Sequence, residues 1–145
     1  MIGLLQRVTE ACVDIDGRRV ASIGAGLLVL VGVRPKDDEP SALRLLERLL
    51  RYRVFEDAAG KMNLSLLETR GDLLLVPQFT LVADTHKGLR AGFSTAAAPA
   101  QGRSLFEALA QAARARHPRV ETGVFGAHMR ISLTNDGPVT FWLES

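Results

Sequence analysis

The chain has one cysteine, Cys12, and its three histidines, His86, His117 and His128, show no metal-binding spacing such as H-E-x-x-H. An internal disulfide is thereby excluded, and so is a structural zinc site built on paired Cys or Cys–His ligands. No apolar run approaches the ~20 residues that a membrane-crossing helix needs. The apolar opening Met1-Ile2-Gly3-Leu4-Leu5 is broken by Gln6, Arg7, Thr9 and Glu10, too early for a secretory signal core. Also missing are a Walker loop, a G-x-S-x-G elbow and a dinucleotide fingerprint. Gly24-Ala25-Gly26 precedes an apolar strand pattern instead of opening a helix, which is the wrong context for a phosphate loop. Together these absences point to a reducing, cytoplasmic setting, no membrane association, and no metal or cofactor.

Neither sign of charge dominates: 18 Lys and Arg stand against 16 Asp and Glu, a net charge of +2. The resulting pI near 9.1 is compatible with a nucleic-acid partner without requiring one. At 145 residues, with 47% hydrophobic and 23% charged, the chain is expected to form one α/β domain spanning 1–145, with a core large enough to need no staples.

Partial alternation over 3–16, a turn at Asp14 to Arg18 and a continuation over 19–23 predict strand, turn, strand. Leu27 to Val33 and Leu73 to Val76 are continuous apolar runs, the pattern of strands buried on both faces. The second ends at Pro77, which cannot donate to a central ladder. Asp37-Asp38-Glu39-Pro40 is a helix start, and Ala42, Leu45, Leu46, Leu49 and Leu50 form one apolar stripe of a helix ending near Arg53. Its other face carries Arg44, Arg48 and Arg51, either as solvated surface or as a phosphate contact. Met62 to Leu67 is read as extended and 83–94 as a loop. A second helix after Pro99 carries Leu105, Leu109, Ala112 and Ala113 on one side. Cys12, among apolar neighbours in a strand, is read as a buried core thiol.

The last segment, Ile131 to Leu143, has two β-rich arms around Asn135-Asp136-Gly137 and predicts a β-hairpin, stiffened by Pro138. Nothing in these local patterns names a reaction.

A longer-range pattern does. Pro77-Gln78-Phe79-Thr80-Leu81 taken with Asn135-Asp136-Gly137-Pro138-Val139-Thr140 closely resembles the two motifs of the D-aminoacyl-tRNA deacylases. Gln6-Arg7-Val8, 24–32, 60–64, Ala83-Asp84-Thr85, Gly88-Leu89-Arg90 and Thr122-Gly123 match in register, so the resemblance covers nearly the whole chain. It implies a compact α/β domain with mixed sheet layers and two main helices, assembled as a homodimer with active sites at the interface. The implied substrates are D-aminoacyl-tRNA and glycyl-tRNA, cleaved at the ester to the 3′-terminal adenosine. Gln78, Phe79 and Thr80 are implied as the catalytic segment. Gly137 and Pro138, joined by a cis peptide, would be the chiral selector reaching into the partner's pocket, with Pro77 and Met129 also facing substrate. Position 77 is usually serine in that family, and a related deacylase acting on L-alanine errors carries proline there. Phe79 and the Asn-x-Gly-Pro-Val-Thr pattern keep the assignment with the D-specific family.

Overall fold

The computed structural model describes residues 1–86 and 88–145. β1 (Ile2–Ile15) turns at Asp16-Gly17, both at positive φ, into β2 (Arg18–Ile23), and β3 (Gly26–Gly32) follows. Ile2↔Gly32 and Ala11↔Ile23 belong to one register, so β2 and β3 are two pieces of a single arm folded back along β1.

The chain then crosses to α1 (Glu39–Arg51), which opens where the sequence predicts. The Asp38 side chain accepts from the Ser41 N–H at 2.8 Å, and Pro40 occupies the first turn. Ala42, Leu45, Leu46, Leu49 and Leu50 are all buried. A small hairpin, β4 (Phe55–Glu56) with β5 (Met62–Leu64), leads to α2 (Leu66–Thr69). The predicted extension through Leu67 is thus wrong beyond Leu64. Ser65-Leu66-Leu67-Glu68 is a capping box, with Glu68 accepting from the Ser65 N–H at 2.7 Å, and it starts a helical turn that the apolar run disguised.

β6 (Asp72–Pro77) runs parallel to β3, and α3 (Pro99–Arg116) returns the chain to β7 (Val120–Thr122), parallel to β6. β3 and β6 are central and buried on both faces, which explains their uninterrupted apolar sequences. Ladder order is β2-β1-β3-β6-β7, and the last strand, β8 (Arg130–Glu144), lies along the other side of β1. The observed architecture is therefore α/β with one curled, barrel-like mixed sheet and two main helices.

Each face of that sheet has its own core. Leu5, Val29, Leu75 and Leu143 pack against α1 and α3; Val8, Val13, Leu28 and Leu74 fill the opposite side. Cys12 is only half-buried, contrary to expectation, at a strand position outside both clusters.

The predicted terminal hairpin is the main correction. Its two arms pair with β1, one after the other, and not with each other: Gln6↔Thr140 ends one ladder and Val8↔Asn135 begins the next, with a second shift before Glu10↔Thr134. Over that first step β1 advances two residues and β8 five, leaving a bulged excursion at 136–139. The excursion sits where β8 changes cores, since Val139, Phe141 and Leu143 pack on the helix side while Ile131 and Leu133 pack on the other. Asn-Asp-Gly signals a sharp departure from a strand equally well in either arrangement.

Candidate active site

The segment Gln78 to Leu81 hangs from the end of a buried strand. β6 stops at Pro77, the Gln78 N–H still donates to the Val31 carbonyl at 2.7 Å, and the chain then tightens into a 3-10 turn, Phe79–Val82. The first N–H groups of such a turn have no acceptor inside it. Those of Phe79 and Thr80 are therefore the donors this turn has to offer. The Gln78 side-chain amide donates to the Thr80 hydroxyl oxygen. Among the described residues no His, Asp or Glu hydrogen-bonds that hydroxyl, so none of them is poised to take its proton. Phe79 is 57% exposed and leans on Phe93, ring centroids 5.0 Å apart, which ties the 83–94 loop to the turn. That loop is closed by a bridge between Asp84 and Gly92, while Lys87, which the sequence reading includes in it, lies outside the described residues.

Pro77 and Met129 meet around Gly123. A Cβ there would lie 2.8 Å from the Met129 sulfur and 3.3 Å from Pro77 Cδ, so only glycine lets both approach. The Met129 sulfur also accepts from the Val124 N–H at 3.3 Å. Beside Gln78 and Phe79 a cavity of about 30 Å³ reaches Phe106 and Phe125, enough for no more than a water or two. A larger groove of about 680 Å³ runs past Leu81 to Arg34 and Trp142.

The second motif is built differently. The Gly137–Pro138 peptide is cis, Gly137 has φ 147°, and residues 136–138 are exposed. An added Cβ at Gly137 would meet Val139 N at 2.7 Å. The Asn135 side chain closes the excursion: its oxygen accepts from the Val139 N–H at 2.7 Å, and its NH2 group donates to Val139 O, Thr140 Oγ1 and Gln6 Oε1 at 3.1 to 3.3 Å. Arg7 braces it from below, donating through Nε to Asp136 O at 2.9 Å and through Nη1 to Val54 O at 2.6 Å. Only 6% of Arg7 is exposed, so its charge is compensated by these carbonyls and by the Asp136 carboxylate 3.2 Å away.

The two motifs do not meet within one chain. Pro77 pairs with Val31, Val31 with Gly3 and Gly3 with Leu143, which makes three strand spacings of ~4.8 Å. From Leu143 the strand runs back six residues to Gly137 at ~3.4 Å each, which puts the turns on the order of 20 Å apart.

Residues 4–144 match the family described as D-Tyr-tRNA(Tyr) deacylase. The chain belongs to that family. Curated relatives include the D-aminoacyl-tRNA deacylase of Thioalkalivibrio sulfidiphilus, 62% identical over 99% of this chain and 97% of its own. That of Azotobacter vinelandii is 61% identical over the full length of both. Among solved structures, the c-Myc DNA unwinding element binding protein superposes with a TM-score of 0.95 at 34% identity, covering 100% of this chain and 99% of its own. A probable eukaryotic D-amino acid tRNA deacylase shares the fold, with a TM-score of 0.87 at 19% identity over 99% and 98% of the two chains.

Arg7 and Asn135 stand inside the motifs of this deacylase family, but nothing in the sequence reading gave them a task. A signal for Arg7 was available: it follows Leu5 by two residues and so faces inward, where a charge needs partners. Gly123 and Phe125 carried no comparable signal. No helix among the described residues is long and apolar enough to cross a membrane.

Proposed function

We propose that the protein hydrolyses the ester joining a D-amino acid to the 3′-terminal adenosine of tRNA, acting on misacylated tRNA in the cytoplasm. The observation that carries this reading is the presence, in a chain that matches the family over residues 4–144, of two exposed backbone turns held in fixed geometry. One supplies N–H donors at Phe79 and Thr80 for a developing oxyanion, commonly among the largest contributions to acyl-transfer catalysis. The other presents the Gly137 and Pro138 carbonyls, which meet the substrate's α-carbon and clash with an L side chain. A filter made of backbone ignores side-chain identity, so many D-amino acids pass and glycine cannot be refused. The smallness of the cavity beside Gln78, which could not hold an amino-acid side chain, supports that indifference. Pro77 and Met129 line the same wall. Water attacks with help from the substrate's own ribose 2′-hydroxyl, and Thr80 positions the ester.

A homodimer supplies the geometry. With the turns on the order of 20 Å apart in one chain, Gly137-Pro138 serves the Gln78 turn of a second copy, and two equivalent sites form across a two-fold axis.

Purified protein incubated with D-Tyr-tRNA and L-Tyr-tRNA tests this directly: the D form should be cleaved and the L form spared, and equal rates or none on the D form would sink the proposal. A fully active monomer in dilute gel filtration would overturn the shared site. One alternative has an observation of its own, the 34% identical structure named for binding a DNA element. A dimer that only binds nucleic acid would show salt-sensitive tRNA binding with no cleavage. Relaxation toward L-alanyl-tRNA, the question raised by Pro77, is read from the same assay with L-Ala-tRNA.

A further inference from the structure

Most arginines with close partners in this protein are neutralised by carboxylates. Arg7, Arg19, Arg34, Arg51, Arg116 and Arg119 all form ion pairs. On the basic face of α1, Arg48 donates to the Glu144 backbone carbonyl and Arg44 to the Ser41 hydroxyl at 2.9 Å, both neutral acceptors. Two exposed arginines on α3 are also held by neutral atoms, and these two line one groove. Arg103 lies 5.1 Å over the Phe125 ring and donates to the Phe125 carbonyl at 3.4 Å; Arg114 donates to Thr122 Oγ1 at 3.1 Å. Neither has a salt-bridge partner among the described residues, so both guanidinium groups are ordered by neutral atoms and keep their full charge.

They straddle one short segment. Thr122–Phe125 and α3 form the walls of a groove of about 250 Å³, and Phe106 and Phe125 line both this groove and the cavity at Gln78 and Phe79. Positions 103 and 114 are three helical turns apart on the same stripe, about 16 Å between Cα atoms. A lone phosphate meets one of them at a time, whereas a run of phosphodiesters meets both. Glu107, on the same wall, is the one carboxylate lining the groove and opposes such a ligand.

We propose that this groove takes the phosphodiester backbone of the tRNA 3′ strand as it leaves the active site, with Arg103 and Arg114 as its anion contacts. The proposal rests on the deacylase reading for the identity of the nucleic acid. An ordered but uncompensated cation is a favourable phosphate contact, because its side-chain entropy is already spent and no carboxylate has to be displaced.

The test compares D-Tyr-tRNA with 3′-(D-tyrosyl)adenosine, which carries the ester but no phosphates. Replacing both residues, Arg103→Gln with Arg114→Gln, should raise KM for the tRNA about tenfold and leave the adenosine ester within about twofold. The salt dependence of binding to uncharged tRNA should flatten by about 1.4 in log–log slope, the loss of two single-strand phosphate contacts. Glu107→Gln, which adds no bulk, should move KM for the tRNA the other way. An unchanged tRNA slope, or equal losses on both esters, would overturn the groove's role. Failure of the parent protein to cleave either ester would sink the deacylase reading instead, and the slope with uncharged tRNA would still decide this proposal.

Discussion

The Gln78 turn and the Gly137 turn are both short, exposed breaks at strands, yet they are secured by opposite means. The first continues a strand with every side chain from Leu73 to Val76 buried, and its anchor is a backbone bond from Gln78 to Val31. The second interrupts a strand that, among the described residues, pairs with β1 alone, and its anchors are the side chains of Asn135 and Arg7. A turn hung from the core inherits the core's stability. A turn tied by polar side chains can be loosened without unfolding anything else.

Two substitutions would break that contrast if it is wrong. Leu75→Ala empties a fully buried site beneath the first turn and should cost about 2–5 kcal/mol, read as a shift in the urea midpoint, with the D-over-L preference of the remaining folded protein unaltered. Asn135→Ala should cost less, about 1–3 kcal/mol for the unsatisfied Val139 N–H, while lowering the D-over-L ratio by up to ~100-fold as the selector loses its fixed position. Equal stability losses, or a selectivity loss in the Leu75 variant, would show that the two turns are not independently held.

The same contrast explains what could be read from the sequence. Helices α1 and α3 and the strands under the first turn were legible because burial writes itself into periodicity: an apolar stripe at Ala42 to Leu50, unbroken runs at Leu27 and Leu73. Pro77 marked the end of β6 for a plain backbone reason. The second turn was visible as a turn but assigned to the wrong topology, because strand arms joined by Asn-Asp-Gly look the same whether they pair together or share a third strand. What Arg7 and Asn135 do depends on atoms more than a hundred residues apart, or on one side chain facing inward across an excursion, and neither has a period. Glu68, three residues after Ser65, did carry a legible capping signal, and it marks α2 where extended chain was expected.

Within the first turn, Thr80→Ala separates positioning from nucleophilic attack. The Thr80 hydroxyl accepts from Gln78 and has no described base beside it, so its loss should slow deacylation by about tenfold or less. Stability should stay within about 0.5 kcal/mol, since the side chain is exposed. Complete loss of single-turnover hydrolysis by a folded variant would instead make Thr80 the nucleophile, and the 2′-hydroxyl route would have to be abandoned.

The smallest effect concerns the end of β8, beyond the second turn, where a polar tie again holds an edge. Glu144 accepts from Arg34 Nη2 and Nη1, at 2.8 and 3.1 Å, and from the Trp142 indole at 2.9 Å. The Arg34 hydrogen bonds first, then the indole, bring its pKa from 4.5 down to about 2. A carboxylate whose pKa is depressed on folding lends stability that is complete above the unfolded value and fades as protons bind. The contribution should therefore be full above pH 4.5 and disappear as the pH falls toward 2. With 47% of the side chain exposed, solvent screening holds it below about 1 kcal/mol. Glu144→Gln should accordingly lower the urea midpoint slightly at pH 7, match the parent progressively as the solution is acidified, and leave the D-over-L ratio untouched. A midpoint difference that stayed constant across that range would mean that packing at the β8 end, and not the charge on Glu144, secures the edge.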